Sequence, residues 1–255
     1  MKLRVLGCSG GIGHGLHTSS YLIDNEILLD AGSGVGELTL DEMRQIRHVF
    51  ISHSHMDHVL SIPLLVDTLF SDLLNQPLQV YARRETIHTL KQHVFNWQLW
   101  PDFTELPDKL SPVLEFIEMN PGDVVTPGPS VEMVDVNHSV PAAAFILRSP
   151  GSTLVYSGDT TTNDSLWARL NQLDEVNFMI IEAAFAEEEI ELARLARHYC
   201  PSLLAADLQK LRHRPLLGIS HLKPGAEAQI FQQCSELLAD GYNLCQLADN
   251  ARFQI

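Results

Sequence analysis

The chain has 255 residues, with 32 Asp and Glu against 17 Lys and Arg, a formal net charge of −15 before any histidine protonates. A surface this acidic repels a polyanion unless its cations are clustered, and Lys and Arg are scattered here, which excludes a nucleic-acid coat. At 45% apolar and 19% charged residues the composition is that of a globular protein with a large core, so disorder and collagen-like repeats drop out.

Lys2 to Leu6, Thr18 to Ile23 and Glu26 to Asp30 are short β-branched or Leu-rich runs separated by Gly, Asn and Asp, which is strand and hairpin punctuation. Leu40 to Ile46 suits a turn or two of helix. His48 to Ser52 is an apolar strand that runs into a polar cluster, and Val59 to Leu74 reads as helix. A strand and a helix follow at Leu78 to Tyr81 and Glu85 to Phe95. The aromatic, Pro-containing stretch at about 96–112 reads as an insert. Strands return at Val113 to Met119, Val131 to Asn137, Ala143 to Leu147 and Thr153 to Tyr156, broken by Pro121-Gly122-Asp123 and Pro127-Gly128-Pro129.

The last third alternates: helix Asp164 to Leu173, strand Phe178 to Glu182, helices Glu187 to Arg197 and Pro201 to Leu211, strand Leu216 to Ser220, helix Ala226 to Ala239. Asn163 reads as a helix cap and Glu187 to Glu191 as a solvated helix start. Sheet-and-helix layering runs throughout, and no repeat or flexible linker divides it, so a single domain over residues 1–255 is expected. The apolar run Val59 to Phe70 is interrupted by Pro63 and Asp67 and falls short of the about 20 residues that span a bilayer. No apolar stretch of secretory length precedes Cys8, so a cytoplasmic location without membrane attachment is expected. Cys8, Cys200, Cys234 and Cys245 form no C-x-x-C pair and read as buried thiols.

His53-Ser54-His55-Met56-Asp57-His58 places four metal-capable side chains within six residues at a strand exit. Period-two alternation points His53 and His55 the same way, while Asp57 and His58 on the next turn reach a neighbouring point. Imidazole and carboxylate suit zinc at about 2.0 to 2.2 Å, and two ions about 3.5 to 4 Å apart turn a shared water into hydroxide near neutral pH. Two ions need further ligands, and His138, Asp159 and His221 each follow a predicted strand. His14, His17, His48, His88, His93 and His213 lack that position and read as packed or surface residues.

On these residues the chain resembles the metallo-β-lactamase superfamily of dinuclear hydrolases, whose H-x-H-x-D-H signature is matched by His53, His55, Asp57 and His58. The resemblance spans nearly the whole chain and implies an α/β fold, a four-layer αββα sandwich. It also implies that His53, His55 and His138 hold one divalent ion, that Asp57, His58 and His221 hold another, and that Asp159 bridges the two. Zinc is the expected metal, with manganese and iron accepted by the same donors. Asp30 and Gly32 in Leu29-Asp30-Ala31-Gly32 look like the family's supporting turn.

Within the superfamily, Gly7-Cys8-Ser9-Gly10-Gly11 with Thr18-Ser19-Ser20-Tyr21, then Ser157-Gly158-Asp159-Thr160, Glu182-Ala183-Ala184-Phe185 and Ile219-Ser220-His221-Leu222, are similar to one branch. It holds the class II cyclic-nucleotide phosphodiesterases and the tRNA 3′-processing endonucleases. In the endonucleases a strand-end Glu pairs with a His one helix later that protonates the leaving oxygen; the matching residues here are Glu182 and His198. A carboxylate on one imidazole nitrogen fixes the tautomer and raises the pKa, which frees the other nitrogen to act as an acid. The alternative is a strand-end Glu beside a His favoured by a helix C-terminus.

The endonucleases carry a projecting basic or Gly-rich arm, and no such segment lies between these strands, in keeping with the acidity. The resemblance therefore implies a phosphodiesterase acting on a small phosphodiester, a 3′,5′-cyclic nucleotide such as cAMP, with Asp57 orienting the hydroxide. An endonuclease-like activity and lactone or thioester hydrolysis are the alternatives. The aromatics from Phe95 to Phe103 would stack a base, worth about 1 to 3 kcal/mol, or else plug the core or join two subunits of a homodimer. Gly7 to Gly13 also fits the G-x-x-x-G-x-G phosphate loop of short-chain dehydrogenases. The helix that loop requires is replaced by strand-like runs, and no Tyr is followed four residues later by Lys, which speaks against an NAD(P)-dependent oxidoreductase. A purely structural zinc cage is disfavoured because seven ligands over two ions leave room for water.

Overall fold

Two seven-stranded sheets face each other in a computed structural model that describes all 255 residues. The first contains β1 (Lys2–Gly7), β2 (Ser20–Ile23), β3 (Ile27–Leu29), β4 (His48–Phe50), β5 (Leu78–Ala82) and β6 (Leu114–Glu118). Its helices are α1 (Leu40–Met43), α2 (Met56–Val59), α3 (Ser61–Thr68), α4 (Phe70–Leu73) and α5 (Arg84–His93). The second sheet contains β7 (Val124–Val125), β8 (Ser130–Val136), β9 (Ala142–Ser149), β10 (Ser152–Tyr156), β11 (Phe178–Glu182), β12 (Leu216–Ser220) and β13 (Asn243–Gln246). With it go α6 (Ser165–Leu170), α7 (Ile190–Ala196), α8 (Pro201–Leu208) and α9 (Glu227–Leu238), and β14 (Arg252–Gln254) returns to the first sheet beside β1.

The strand orders are β14-β1-β2-β3-β4-β5-β6 and β13-β12-β11-β10-β9-β8-β7. Each sheet begins with antiparallel hairpins and continues in parallel, from β3 to β6 and from β10 to β13. Parallel steps need crossovers, and the helices that supply them cover the outer faces. Leu3, Val5, Tyr21 and Phe50 of the first sheet pack against Phe145, Leu147, Leu154 and Ile180 of the second. Separate outer cores bind α3 and α5 to the first sheet and α6, α8 and α9 to the second. The result is the αββα sandwich that the resemblance implies.

The helix expected over Val59 to Leu74 is instead three short ones. Ser61 N donates to Ala31 O (2.8 Å) and Ala31 N to His58 O (2.7 Å), so the turn after β3 takes two backbone groups from the helical ladder and breaks it between α2 and α3. β7, β13 and β14 lie outside every predicted strand. They are two to four residues long, and their pairing partners rather than any alternation define them. Cys200 and Cys234 are buried, but Cys8 and Cys245 are only half-buried. Asn163 Oδ1 accepts from Leu166 N (3.2 Å) and so covers the first turn of α6, although Asp164 rather than Asn163 stands at the N-cap position.

Residues 96–112 leave the C-terminal end of α5 and enter the start of β6, where Leu78 N donates to Val113 O (3.0 Å). They therefore lie by the edge of the first sheet where β6 begins, opposite the edge at which β4 exits toward the histidine cluster. Phe95 and Phe103 are buried in the outer core, whereas Trp97 and Leu99 are 58% and 60% exposed. No helix is long and apolar enough to cross a membrane.

Candidate metal centre

Parallel strands of one sheet end at the same edge, and here the C-terminal edges of both sheets meet. Asp30 follows β3, His53 and His55 follow β4, and Asp57 and His58 ride on α2. From the second sheet come His138 after β8, Asp159 after β10, Glu182 at the end of β11 and His221 after β12. Ala143 N donates to Ser52 O (2.9 Å) and stitches the two sheets together beside them. Gly158, directly before Asp159, has φ +58°, and a Cβ there would lie 2.8 Å from Ser52 Cβ, so glycine is needed for this turn.

All seven residues expected as ligands converge in two groups. One comprises His53, His55, His138 and Asp159, the other Asp57, His58, Asp159 and His221; within each, the donor atoms lie within 4.8 Å of one another. Asp159 is common to both. In the first group His55 Nδ1 is 3.0 Å from His53 Nε2 and 3.2 Å from His138 Nε2. In the second, Asp159 Oδ2 lies 3.2 Å from His58 Nε2, Asp159 Oδ1 lies 3.3 Å from His221 Nδ1, and Asp57 Oδ2 lies 3.7 Å from His58 Nε2.

The far nitrogens are held. His138 Nδ1 donates to Arg197 O (2.9 Å), His58 Nδ1 donates to Asp30 Oδ2 (2.6 Å), and His53 Nδ1 sits 2.9 Å from Ser52 Oγ. Such contacts set the direction of the ligating nitrogen. Asp30 is wholly buried and also accepts from Ser52 N (2.7 Å), Ser52 Oγ (2.7 Å) and Tyr156 OH (2.5 Å). Gly32, two residues on, accepts from Ser61 Oγ (2.6 Å).

The donor set fits divalent metal. His58 Nε2 is buried without a hydrogen-bond partner. Burial pushes His138 down to about 4 and His221 to about 3, so both are neutral imidazoles, the form that ligates. At His58 burial opposes the charge, but Asp159 and Asp30 prevail and hold the imidazole well above its ordinary value. Burial likewise opposes ionisation of Asp159, yet His221 and His58 keep its carboxyl well below the usual range. A protonated His58 balances Asp30 and Asp159 here, and a bound cation would supply that charge instead beside the neutral His138 and His221.

Glu182 and His198 form the expected pair. Glu182 Oε1 lies 2.8 Å from His198 Nδ1 and accepts from Thr160 N (3.0 Å), while Oε2 accepts from Ala184 N (3.0 Å) and Tyr199 N (3.3 Å). The His198 ring packs edge-on against His138 with centroids 4.9 Å apart and stacks on His221 at 5.3 Å. Burial works against charge on His198, but Glu182 outweighs it and raises the pKa.

Arg197 escapes the sequence analysis. It adopts the left-handed conformation (φ 59°) at the end of α7, which aims its carbonyl at His138, and its guanidinium donates to His138 O (2.9 Å). One segment thus holds the candidate ligand His138 and carries the neighbouring His198. Tyr156, read only as part of a strand, anchors Asp30. Adjacency to His198 is the only sequence signal for the first, and nothing local marks the second.

The Asp30→Asn variant tests the support beneath the candidate ligands. An amide places a donor among four donors, so we expect a stability loss of about 3 kcal/mol and metal affinity about 10- to 100-fold weaker. Denaturant unfolding and metal titration read the two effects, and wild-type values in both would reject the role of Asp30.

A layered sandwich with two His/Asp clusters at one strand edge defines a metal-dependent hydrolase. The family described as Beta-lactamase superfamily domain matches residues 25–238, and the chain belongs to it. It is similar to a probable 3′,5′-cyclic-nucleotide phosphodiesterase of Yersinia pestis, 27% identical over 88% of this chain and 78% of the relative. A ribonuclease Z of Methanosarcina acetivorans is 25% identical over 87% of each chain. Among solved structures, unliganded yeast PDE1 superposes with a TM-score of 0.85 at 16% identity, covering 100% of this chain and 99% of its own. The metallo-β-lactamase fold protein YhfI of Bacillus subtilis gives 0.78 at 18% identity over 99% and 98%. These two likenesses speak for the fold alone.

Proposed function

We propose that the chain is a dinuclear phosphodiesterase that hydrolyses a small phosphodiester, a 3′,5′-cyclic nucleotide such as cAMP, in the cytoplasm. The observation that carries this reading is the buried Glu182–His198 pair packed against His138 and His221. An alkoxide is a poor leaving group and needs a proton, and an acid beside the metal centre provides it. The Yersinia pestis relative, named for such an activity, supports the same substrate class. The excess of 15 acidic groups weighs against a long RNA.

His53, His55, His138 and Asp159 would hold one ion and Asp57, His58, His221 and Asp159 the other, zinc by donor type with manganese or iron accepted equally. When bound, such a pair neutralises phosphoryl charge and lowers the pKa of water. Asp57, 32% exposed in its side chain and so the most open of the acidic ligands, orients the attacking water. Glu182 holds His198 by Nδ1, which leaves Nε2 to protonate the departing ribose oxygen as the P–O bond breaks. The exposed Trp97 and Leu99, remote from this chemistry, would serve a contact between two copies.

A hydrolysis panel on metal-analysed protein tests the proposal: 3′,5′-cyclic AMP and GMP, 2′,3′-cyclic nucleotides, bis(p-nitrophenyl) phosphate, a precursor tRNA, an acyl lactone and a glutathione thioester. We expect fastest turnover of the 3′,5′-cyclic nucleotides. Preference for the precursor tRNA would favour the nuclease reading, suggested by the Methanosarcina acetivorans relative. Turnover confined to lactone or thioester would reject phosphodiester chemistry.

A further inference from the structure

The loop after β1 pairs with the segment after β12. His221 N donates to Cys8 O (2.7 Å), Gly10 N donates to Leu222 O (3.0 Å), and Ser9 bridges both Thr18 and Leu222. A Cβ on Gly10 would lie 2.4 Å from His221 O, so glycine alone lets the loop approach this closely. Lys223 comes next. Its backbone N donates to Ala184 O (3.1 Å), and its ammonium donates to Gly10 O (2.8 Å) while lying 5.8 Å from the centre of the Phe185 ring. That ring meets His198 nearly edge-on at 5.7 Å. The ammonium is therefore held in place between the glycine loop and the wall of the His198 pocket.

Its charge is unspent. Lys109 and Lys210 are each paired with acids; Lys2, Lys91 and Lys223 have no carboxylate within ion-pair distance, and of these three only Lys223 is partly buried. An ammonium has three N–H donors, and Gly10 O takes one. The same charge works against protonation of both His198 and His221, as expected of a near neighbour of each. Holding an unpaired cation half-buried costs solvation free energy, which an anionic ligand arriving beside it offsets.

Resting on the phosphodiesterase reading, we propose that the Lys223 ammonium binds a non-bridging phosphoryl oxygen of the substrate and matches the negative charge that develops there. A phosphodiester carries one negative charge. Attack by hydroxide adds a second in the transition state, and the monoester product carries two once the proton brought by the hydroxide has been released. A cation fixed in advance by Gly10 O and Phe185 interacts more strongly with the dianionic transition state than with the monoanionic substrate, so its effect falls on kcat. The inference deepens the use of the same site and adds a residue outside the metal ligands and the Glu182–His198 pair.

The test uses metal-loaded full-length protein and the variants Lys223→Met and Lys223→Arg. Kinetics on cAMP, and calorimetry with AMP as dianionic product and adenosine as neutral control, are compared. We expect Lys223→Met to keep wild-type metal content and thermal midpoint, to lose about 100-fold in kcat with a smaller change in KM, and to bind AMP at least about tenfold more weakly. Adenosine binding should be unchanged, and Lys223→Arg should recover part of the loss. Unchanged kcat and AMP affinity in Lys223→Met would overturn the assignment, as would an equal weakening of AMP and adenosine, which would make Lys223 a tether for the Gly10 loop. A wild-type protein that hydrolyses no phosphodiester overturns the functional reading itself, whereas an active wild type with an indifferent Lys223→Met overturns only the role of Lys223.

Discussion

Asp159→Ala should bind fewer than two ions per chain and lose at least about 100-fold in the affinity of the ion that remains. Asp159 is 2% exposed and is the single carboxylate common to both clusters, with one oxygen 3.2 Å from His58 Nε2 and the other 3.3 Å from His221 Nδ1. Removing it leaves buried imidazoles facing one another without the negative charge that balances a cation, so both clusters weaken together. Hydrolysis of cAMP should fall with the metal content. Elemental analysis of the dialysed variant measures the stoichiometry directly, and two retained ions would reject Asp159 as the bridge.

His198→Ala should retain the full metal complement, because His198 belongs to neither cluster. Its loss should depend on the leaving group. With cAMP, whose ribose oxygen needs a proton, we expect kcat to fall about 10²- to 10⁴-fold; with bis(p-nitrophenyl) phosphate, whose phenolate leaves unaided, the fall should be much smaller. Equal losses on both substrates would remove the general-acid role. The pH profile carries the same information. Glu182 raises the His198 pKa above 6.5, so the acid form persists past that value and is lost as pH climbs through the raised one. Turnover of cAMP should therefore decline on the basic side, a limb that p-nitrophenyl substrates lack. Glu182→Gln is the milder companion, since it keeps a side chain among the backbone donors of Thr160, Ala184 and Tyr199 while weakening the hold on Nδ1.

Some of this centre is legible because its geometry is local. His53 to His58 span one strand exit and one helical turn, so short-range geometry brings His53 and His55 to one point although both lie beyond the end of β4. His138, Asp159 and His221 are legible at one remove, since each follows an apolar strand and parallel strands share an edge. Glu182 and His198 needed the family likeness, because the fifteen positions between them cross a loop and α7 whose path no periodicity fixes. The aromatic segment was legible as an insert but its place was not: α5 carries the chain from the exit of β5 back toward the start of β6 before the segment begins.

Sequence by itself determined the layered α/β class, the His and Asp side chains fit to hold metal and the strand ends that carry them, because residue type and short-range period act through near neighbours. Tertiary structure alone decided that Arg197 turns its carbonyl to His138, that Tyr156 reaches Asp30, that β14 closes the first sheet and that Lys223 stands unpaired beside Gly10. Those outcomes come from backbone conformation and burial summed over segments up to more than two hundred residues apart, and no local pattern encodes such a sum.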